Sequence, residues 1–334
     1  MSSPYFNQEK KWKIEHLEEV KKHIPISQYL NGFDWFFVPP LYMQGYEINI
    51  LKDLMNKGNT DPKEISRVII RKFHDIGFSA SFIRGYCSRV TFIEPFTSTI
   101  EHSMILAYQK DYEGAIKTLL PIIEGILRQY LIQEKGKTNE SINFGDIKGN
   151  SLKKGCLELL KEANYKSHLE NYISPVTNQP STFQPNEIDE LVALEKEYYD
   201  IWFSFFTEFI LKSLYLDSSH NNIDGLLNRH SVSHEFNDKT LKYTIENYIK
   251  LYISINFLMW AFLIFESKSL LSECSDEDYL KTFLAYRKIV EGSKFLLEAK
   301  ATLDERYKPH VKPHMSFKEK LVDLFIHNWA VKRK

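Results

Sequence analysis

The sequence predicts an all-α protein, an antiparallel four-helix bundle with helical extensions at both its N-terminal and C-terminal sides. Apolar residues return at helical spacing over long segments, most plainly Ile188, Leu191, Leu194, Tyr198, Ile201, Trp202, Phe205, Phe209 and Leu214 within residues 187–216. Helix starts carry cap-like residues, such as Asp61 before Pro62 and Asp111 before residues 112–135. Four long helical segments, with a short polar motif ahead of the last, fit the up-and-down order of a bundle.

Residues 1–95 read as a separate, mostly helical module. Residues 11–23 alternate in charge, with Ile14, Leu17 and Val20 on one side, and Pro25 ends the pattern. The aromatic stretch Phe33-Asp34-Trp35-Phe36-Phe37-Val38-Pro39-Pro40 follows, and its paired prolines predict an extended connector laid on a core. Residues 46–56 look helical. Asp61-Pro62-Lys63-Glu64 then supplies an N-cap, a proline in the first turn and an acidic residue ahead of a helix over 65–75. Arg67, Arg71, Lys72, Arg84 and Arg89 scatter between aromatic residues here. They are either the solvent face of helices or a nucleic-acid groove, with cations for phosphates and rings for bases.

The bundle is expected over 98–267. Residues 97–110 and 112–135 are its first helices, and Pro121 predicts a kink in the second. Glu124 and Arg128 have the i, i+4 acidic-first order of an exposed helix pair; the other reading has them face and orient the polar motif. Residues 136–186, with Gly136, Asn139, Gly145, Gly149 and Ser174-Pro175, read as an insertion between bundle helices. After the helix over 187–216, the turn Asp217-Ser218-Ser219-His220-Asn221-Asn222 leads into residues 223–234, which carry the motif. Asn237-Asp238 is expected to cap a last long helix over 239–267. Residues 274–334 form the C-terminal extension, in which Leu280, Phe283, Leu284 and Ile289 are the expected core face.

Composition narrows the function classes. With 334 residues, 43% hydrophobic and 26% charged, the chain has the make-up of a globular protein with room for a sizeable core. A formal net charge of -1 provides no global basic field, so any nucleic-acid contact must use local patches. Cys87, Cys156 and Cys274 are far apart and form neither a zinc pattern nor a disulfide framework, which predicts a reducing, cytoplasmic setting. The N-terminal residues lack the apolar core of a secretory signal. The apolar run 251–265, interrupted by Ser254 and Asn256, is shorter than the roughly 20 residues needed to span a bilayer, so a buried bundle helix and no membrane contact are expected. Asp111-Tyr112-Glu113-Gly114-Ala115-Ile116 resembles part of a tetratricopeptide unit, but the required recurrence at about 34 residues is missing.

The strongest candidate for chemistry is Leu226-Leu227-Asn228-Arg229-His230-Ser231-Val232-Ser233-His234-Glu235-Phe236. Histidine exchanges a proton near neutral pH, while arginine stays cationic and clamps a phosphate with two hydrogen bonds. If Asn228 caps a short helix, Arg229 and His230 fall in its first turn, where free amides favour an anion. The step from Arg229 to His234 rotates roughly 140° on a helix, so arginine's reach, a distorted helix or a second subunit must bring the two together.

This motif resembles the HEPN signature: Arg229, a polar residue at His230, three more residues and His234. Asp111-Tyr112-Glu113-Gly114-Ala115-Ile116 and the residues after it, to Arg128, resemble the first bundle helix of bacterial proteins that carry that signature, so the likeness covers roughly residues 98–267. It implies a metal-independent endoribonuclease without a cofactor. In that chemistry a ribose 2′-hydroxyl attacks the adjacent phosphorus and leaves a 2′,3′-cyclic phosphate and a free 5′-hydroxyl. His234 would serve as acid or base, Arg229 as the electrostatic clamp and His230 as a helper. The likeness further implies an RNA substrate, a homodimer that juxtaposes two motifs, an antitoxin or activator protein as regulator, and a role as toxin or phage-defence effector. Some HEPN toxins carry a tyrosine two residues after the motif histidine that a partner enzyme modifies; Phe236 stands there and has no hydroxyl.

Two readings compete. His230 and His234 share a helical face, but Ser231 stands where a zincin needs glutamate, and the proline-flanked His310 and His314 are loop residues. The other is a non-catalytic helical module that dimerises and binds nucleic acid or protein.

Overall fold

The cap signals at Asp61-Pro62 and Asp111 become helix starts at the residues expected. The computed structural model describes residues 5–36, 45–58, 60–142, 154, 183–214, 243–266, 268 and 273–303, and among these it is mostly helical, without a strand. The helices are α1 (Phe6–Lys21), α2 (Ile24–Asn31), α3 (Gly45–Lys57), α4 (Pro62–Phe73) and α5 (Ile76–Gly85), followed by α6 (Thr97–Tyr108) and α7 (Tyr112–Lys135). After them come α8 (Pro185–Phe209), continued by a π-helical turn over Ile210–Leu214, then α9 (Ile245–Phe265) and α10 (Asp276–Leu303).

Each start has a local cause. The Asp61 carboxylate accepts the Lys63 amide at 2.9 Å ahead of Pro62, and Asp75 accepts the Phe78 amide at 2.8 Å. Asp111 caps α7 through the Gly114 amide at 3.1 Å, and Gly136, left-handed at φ 61°, closes that helix. Pro121, where a kink is expected, lies inside α7, which continues through it. Pro121 is exposed, so the backbone bond it forfeits lies toward solvent rather than in the core. Asn237-Asp238 lies outside the described residues; α9 as described starts after Thr244, whose hydroxyl accepts the Asn247 amide at 3.2 Å.

Helix directions alternate from α6 to α9. The Ser103 hydroxyl donates to the Ala115 carbonyl at 3.3 Å, and Phe96 lies where a Cβ on Gly125 would come within 2.8 Å of its ring, so α6 and α7 run antiparallel and close. Lys117 sits over the Tyr243 ring at 5.4 Å and Tyr130 meets Phe262 at 5.6 Å, so α9 runs parallel to α7. Tyr199 meets Trp260 at 5.8 Å, and Phe206 stacks on Phe257 at 4.4 Å, which makes α8 antiparallel to α9.

Every residue of α9 from Asn247 to Leu263 is buried. By length and composition this 21-residue helix could cross a membrane, but its apolar window is 100% buried inside the chain. Length alone does not mark it as a core helix, because Tyr248 and Ile249 extend the run beyond 251–265; burial does.

The flanking segments pack into the same core, and one buried cluster extends from Val20 to Tyr286. On α1, the buried Lys13 pairs with Glu9 at 3.3 Å and with Glu195 of α8, while Lys10 reaches Glu190 at 2.5 Å. The aromatic connector anchors through Trp35 and Phe36, both buried; residues 37–44 lie outside the described residues. On α10 the expected core face is rotated. Tyr279, Phe283 and Tyr286 turn inward while Leu280 and Leu284 stay 53% and 44% exposed. The inward stripe is anchored by hydrogen bonds: the Tyr286 hydroxyl donates to Glu101 at 2.6 Å, and Arg84 donates to the same oxygen at 3.0 Å and to Thr282 at 3.0 Å.

Candidate functional site

Asn228, Arg229, His230, His234 and Phe236 lie outside the described residues, as do His310, His314 and Cys156. The frame that carries the motif is described. Residues 215–242 leave the π-turn at Leu214 and rejoin the chain at Tyr243, and the antiparallel pairing of α8 with α9 puts both junctions at one end of the helices. That end also holds the start of α7. Lys117 bridges there, bonded to Glu113 at 3.0 Å and lying over the Tyr243 ring. Burial, with Glu246 adding to it, pushes the Tyr112 phenol up to about 12.

Glu124 and Arg128 stand further along α7. At 1.5 Å per residue, Glu124 is about 10 Å and Arg128 about 16 Å beyond Lys117 on the axis. Arg128 donates from Nε and Nη2 to one Glu124 oxygen, both at 3.0 Å. The pair has the geometry of the i, i+4 helix pair expected from its spacing.

Next to the α6 and α9 ends lies a group of rings, three buried tyrosines and the partly buried His74. His74, at the end of α4, packs on Tyr108 at 4.9 Å and Tyr248 at 6.4 Å, and Tyr248 stacks on Tyr252 at 6.0 Å. The Tyr108 hydroxyl donates to the Asp75 carbonyl at 3.4 Å. Burial raises the phenols of Tyr108, Tyr248 and Tyr252. Burial also lowers His74 to about 4, Lys110 adding to the effect. At neutral pH these groups are uncharged, as rings packed together in a protein interior are.

A pH dependence follows. His74 titrates near 6.5 when unfolded and near 4 when folded, so only the unfolded chain gains its proton between those values. Its contribution is whole above pH 6.5 and declines as pH falls toward 4, by at most about 3 kcal/mol. Urea unfolding of wild type and His74→Gln at pH 7.5 and 4.5 should show a steeper loss in wild type. Equal slopes would refute it.

The five scattered cations divide into two groups. Arg84 is held by Glu101 and Thr282, and Arg89 pairs with Glu273 at 2.6 Å and donates to the Gly85 carbonyl at 3.2 Å. Arg67, Arg71 and Lys72 instead line one open cleft of about 370 Å³ with Tyr46, Glu47, Ile50, Val68, Asp75 and Phe78. Lys72 lies 5.9 Å from the centre of the Phe78 ring.

No family model matches the chain, and neither a curated protein nor a solved structure shows significant similarity to it. The reading of the motif therefore rests on its own residues.

Among the described residues no group of three His, Cys, Asp or Glu side chains could hold a metal ion. The Cys87 thiol is buried and raised in pKa by that burial, which leaves it inert. Sequence reasoning named the cations but missed the partners of the cleft, Tyr46 and Phe78, and missed the ring group entirely. The i, i+4 step from Arg67 to Arg71 was the available signal for the first; nothing local links His74 to Tyr248.

Proposed function

We propose that this chain is a metal-independent endoribonuclease of the HEPN type, with Arg229 and His234 at its centre and residues 98–267 as the catalytic bundle. The observation that carries the reading is the string Asn228-Arg229-His230-Ser231-Val232-Ser233-His234, set between two helices that pack antiparallel with their junctions at one end. The alternating directions of α6 to α9 are compatible with an antiparallel bundle, in which α8 packs mainly on α1.

The chemistry needs three things. A base takes the proton of the ribose 2′-hydroxyl as its oxygen bonds to phosphorus; an acid gives a proton to the 5′-oxygen as the P–O5′ bond breaks; a cation stabilises the phosphorane between them. His234 fills one proton-transfer role and Arg229 the clamp, with Asn228 capping the turn and His230 assisting. A two-fold homodimer brings the second histidine. The protein works in the cytoplasm as a toxin or phage-defence effector regulated by an antitoxin or an activator protein.

Purified protein incubated with labelled RNA in EDTA should release fragments ending in 2′,3′-cyclic phosphate and starting with a 5′-hydroxyl. RNA left intact in every buffer, metal-free and metal-supplemented alike, would overturn the nuclease reading. A binding module is the second reading, favoured by the cationic cleft, and predicts affinity without turnover.

A further inference from the structure

We infer that the cleft between α3, α4 and the start of α5 is a binding site for single-stranded nucleic acid, separate from the Arg229 motif and independent of the nuclease reading. Arg67 and Arg71 stand one turn apart on α4, both exposed, with Lys72 beside them. Among the described residues none of the three has a carboxylate within ion-pair distance, whereas Arg84 and Arg89 nearby are both paired. Three cations lining one cleft with no paired carboxylate among the described residues cost electrostatic energy in the free protein, and a bound polyanion relieves it.

The rest of the lining fits a strand of nucleotides rather than a simple anion. Tyr46, 64% exposed, stands at the rim, and Ile50, Val68 and Phe78 supply apolar surface below it. An exposed ring beside unpaired cations is the pairing that stacks a base while the backbone follows the charges. Two carboxylates also face the cleft. Asp75 caps α5 through Oδ1, and Glu47 lies in the first turn of α3; both disfavour a phosphate placed next to them and leave the α4 side as its track. At about 370 Å³ the cleft is at the small end of ligand sites, of a size for one nucleoside rather than a duplex.

The test uses the full chain carrying Arg229→Ala/His234→Ala, so that cleavage plays no part, and measures anisotropy of labelled oligo-uridine and oligo-thymidine. Binding should fall with salt with a log–log slope of about -2, as three phosphate contacts on a single strand give. Arg67→Ala/Arg71→Ala should weaken it on the order of 10–100-fold and flatten the slope to about -0.7. Tyr46→Ala should weaken it about tenfold with the slope unchanged. Arg287→Ala/Lys288→Ala, which removes equal charge from the exposed face of α10, should bind like its parent. The site is refuted if cleft and α10 variants bind alike, if no oligonucleotide binds at about 50 mM salt, or if oligo-glutamate binds as tightly as the oligonucleotides. Wild type that binds through the cleft yet never cuts RNA would remove the nuclease reading and leave this site standing.

Discussion

His234→Ala should abolish RNA cleavage while leaving the fold intact. A positioned proton-transfer group contributes on the order of 10²–10⁴-fold, and alanine removes the whole of it. Arg229→Lys keeps the charge but loses the planar two-bond grip on phosphate, so turnover should drop on the order of 10²-fold or more, as when a transition-state donor is lost. His230→Ala should cost less than either. If two protomers build one site, mixing separately inactive Arg229→Ala and His234→Ala proteins should restore part of the activity through mixed dimers. The melting temperature should not move if His234 serves chemistry alone; the described core of α7, α8 and α9 includes Tyr130, Phe206, Phe257 and Trp260. A His234→Ala protein that cuts RNA at the wild-type rate would rule this mechanism out.

Asp34→Asn should be the costliest single polar change to the fold among the described residues, at about 3 kcal/mol. Lys250 lies on the core helix α9 with its side chain 8% exposed, and its Nζ reaches Asp34 Oδ2 at 2.6 Å. Trp35, 5.2 Å from that ammonium, closes the site with an aromatic face. Asparagine keeps the size of Asp34 and tolerates its left-handed backbone, φ 59°, so the change isolates the charge. What remains is an ammonium held in the core without its counter-ion, the case in which breaking a buried pair costs several kcal/mol. Urea unfolding measures the loss, and Lys250→Met added to Asp34→Asn should recover most of it because the stranded charge is gone. A loss below about 1 kcal/mol would place the pair with exposed ion pairs and refute the assignment.

Short-range signals were legible in the chain. Asp61-Pro62 and Asp111 start helices where capping chemistry puts them, and α7 spans Tyr112–Lys135 as its periodicity predicts. Each of these depends on a hydrogen bond or contact within about four residues, so the sequence contains both partners. The face of α10 was not legible. Leu280 and Leu284 satisfy helical spacing as well as Tyr279 and Phe283 do, and only Glu101 and Arg84, from two other helices, select the stripe that carries Tyr286.

The candidate sites divide in the same way. The sequence by itself determined the all-helical class, most helix starts and the Asn-Arg-His string, because composition, periodicity and spacing are local quantities. Tertiary structure alone decided which cations are neutralised. Arg84 and Arg89 meet Glu101 and Glu273 across helices, while Arg67, Arg71 and Lys72 meet Tyr46 and Phe78 in a cleft. It also decided that an apolar helix long enough for a bilayer lies wholly inside the chain, and that Lys250 on that helix is matched by Asp34. The physical reason is one of range: a charge or an apolar face is fixed by its residue, but its partner is chosen by packing between segments far apart in sequence.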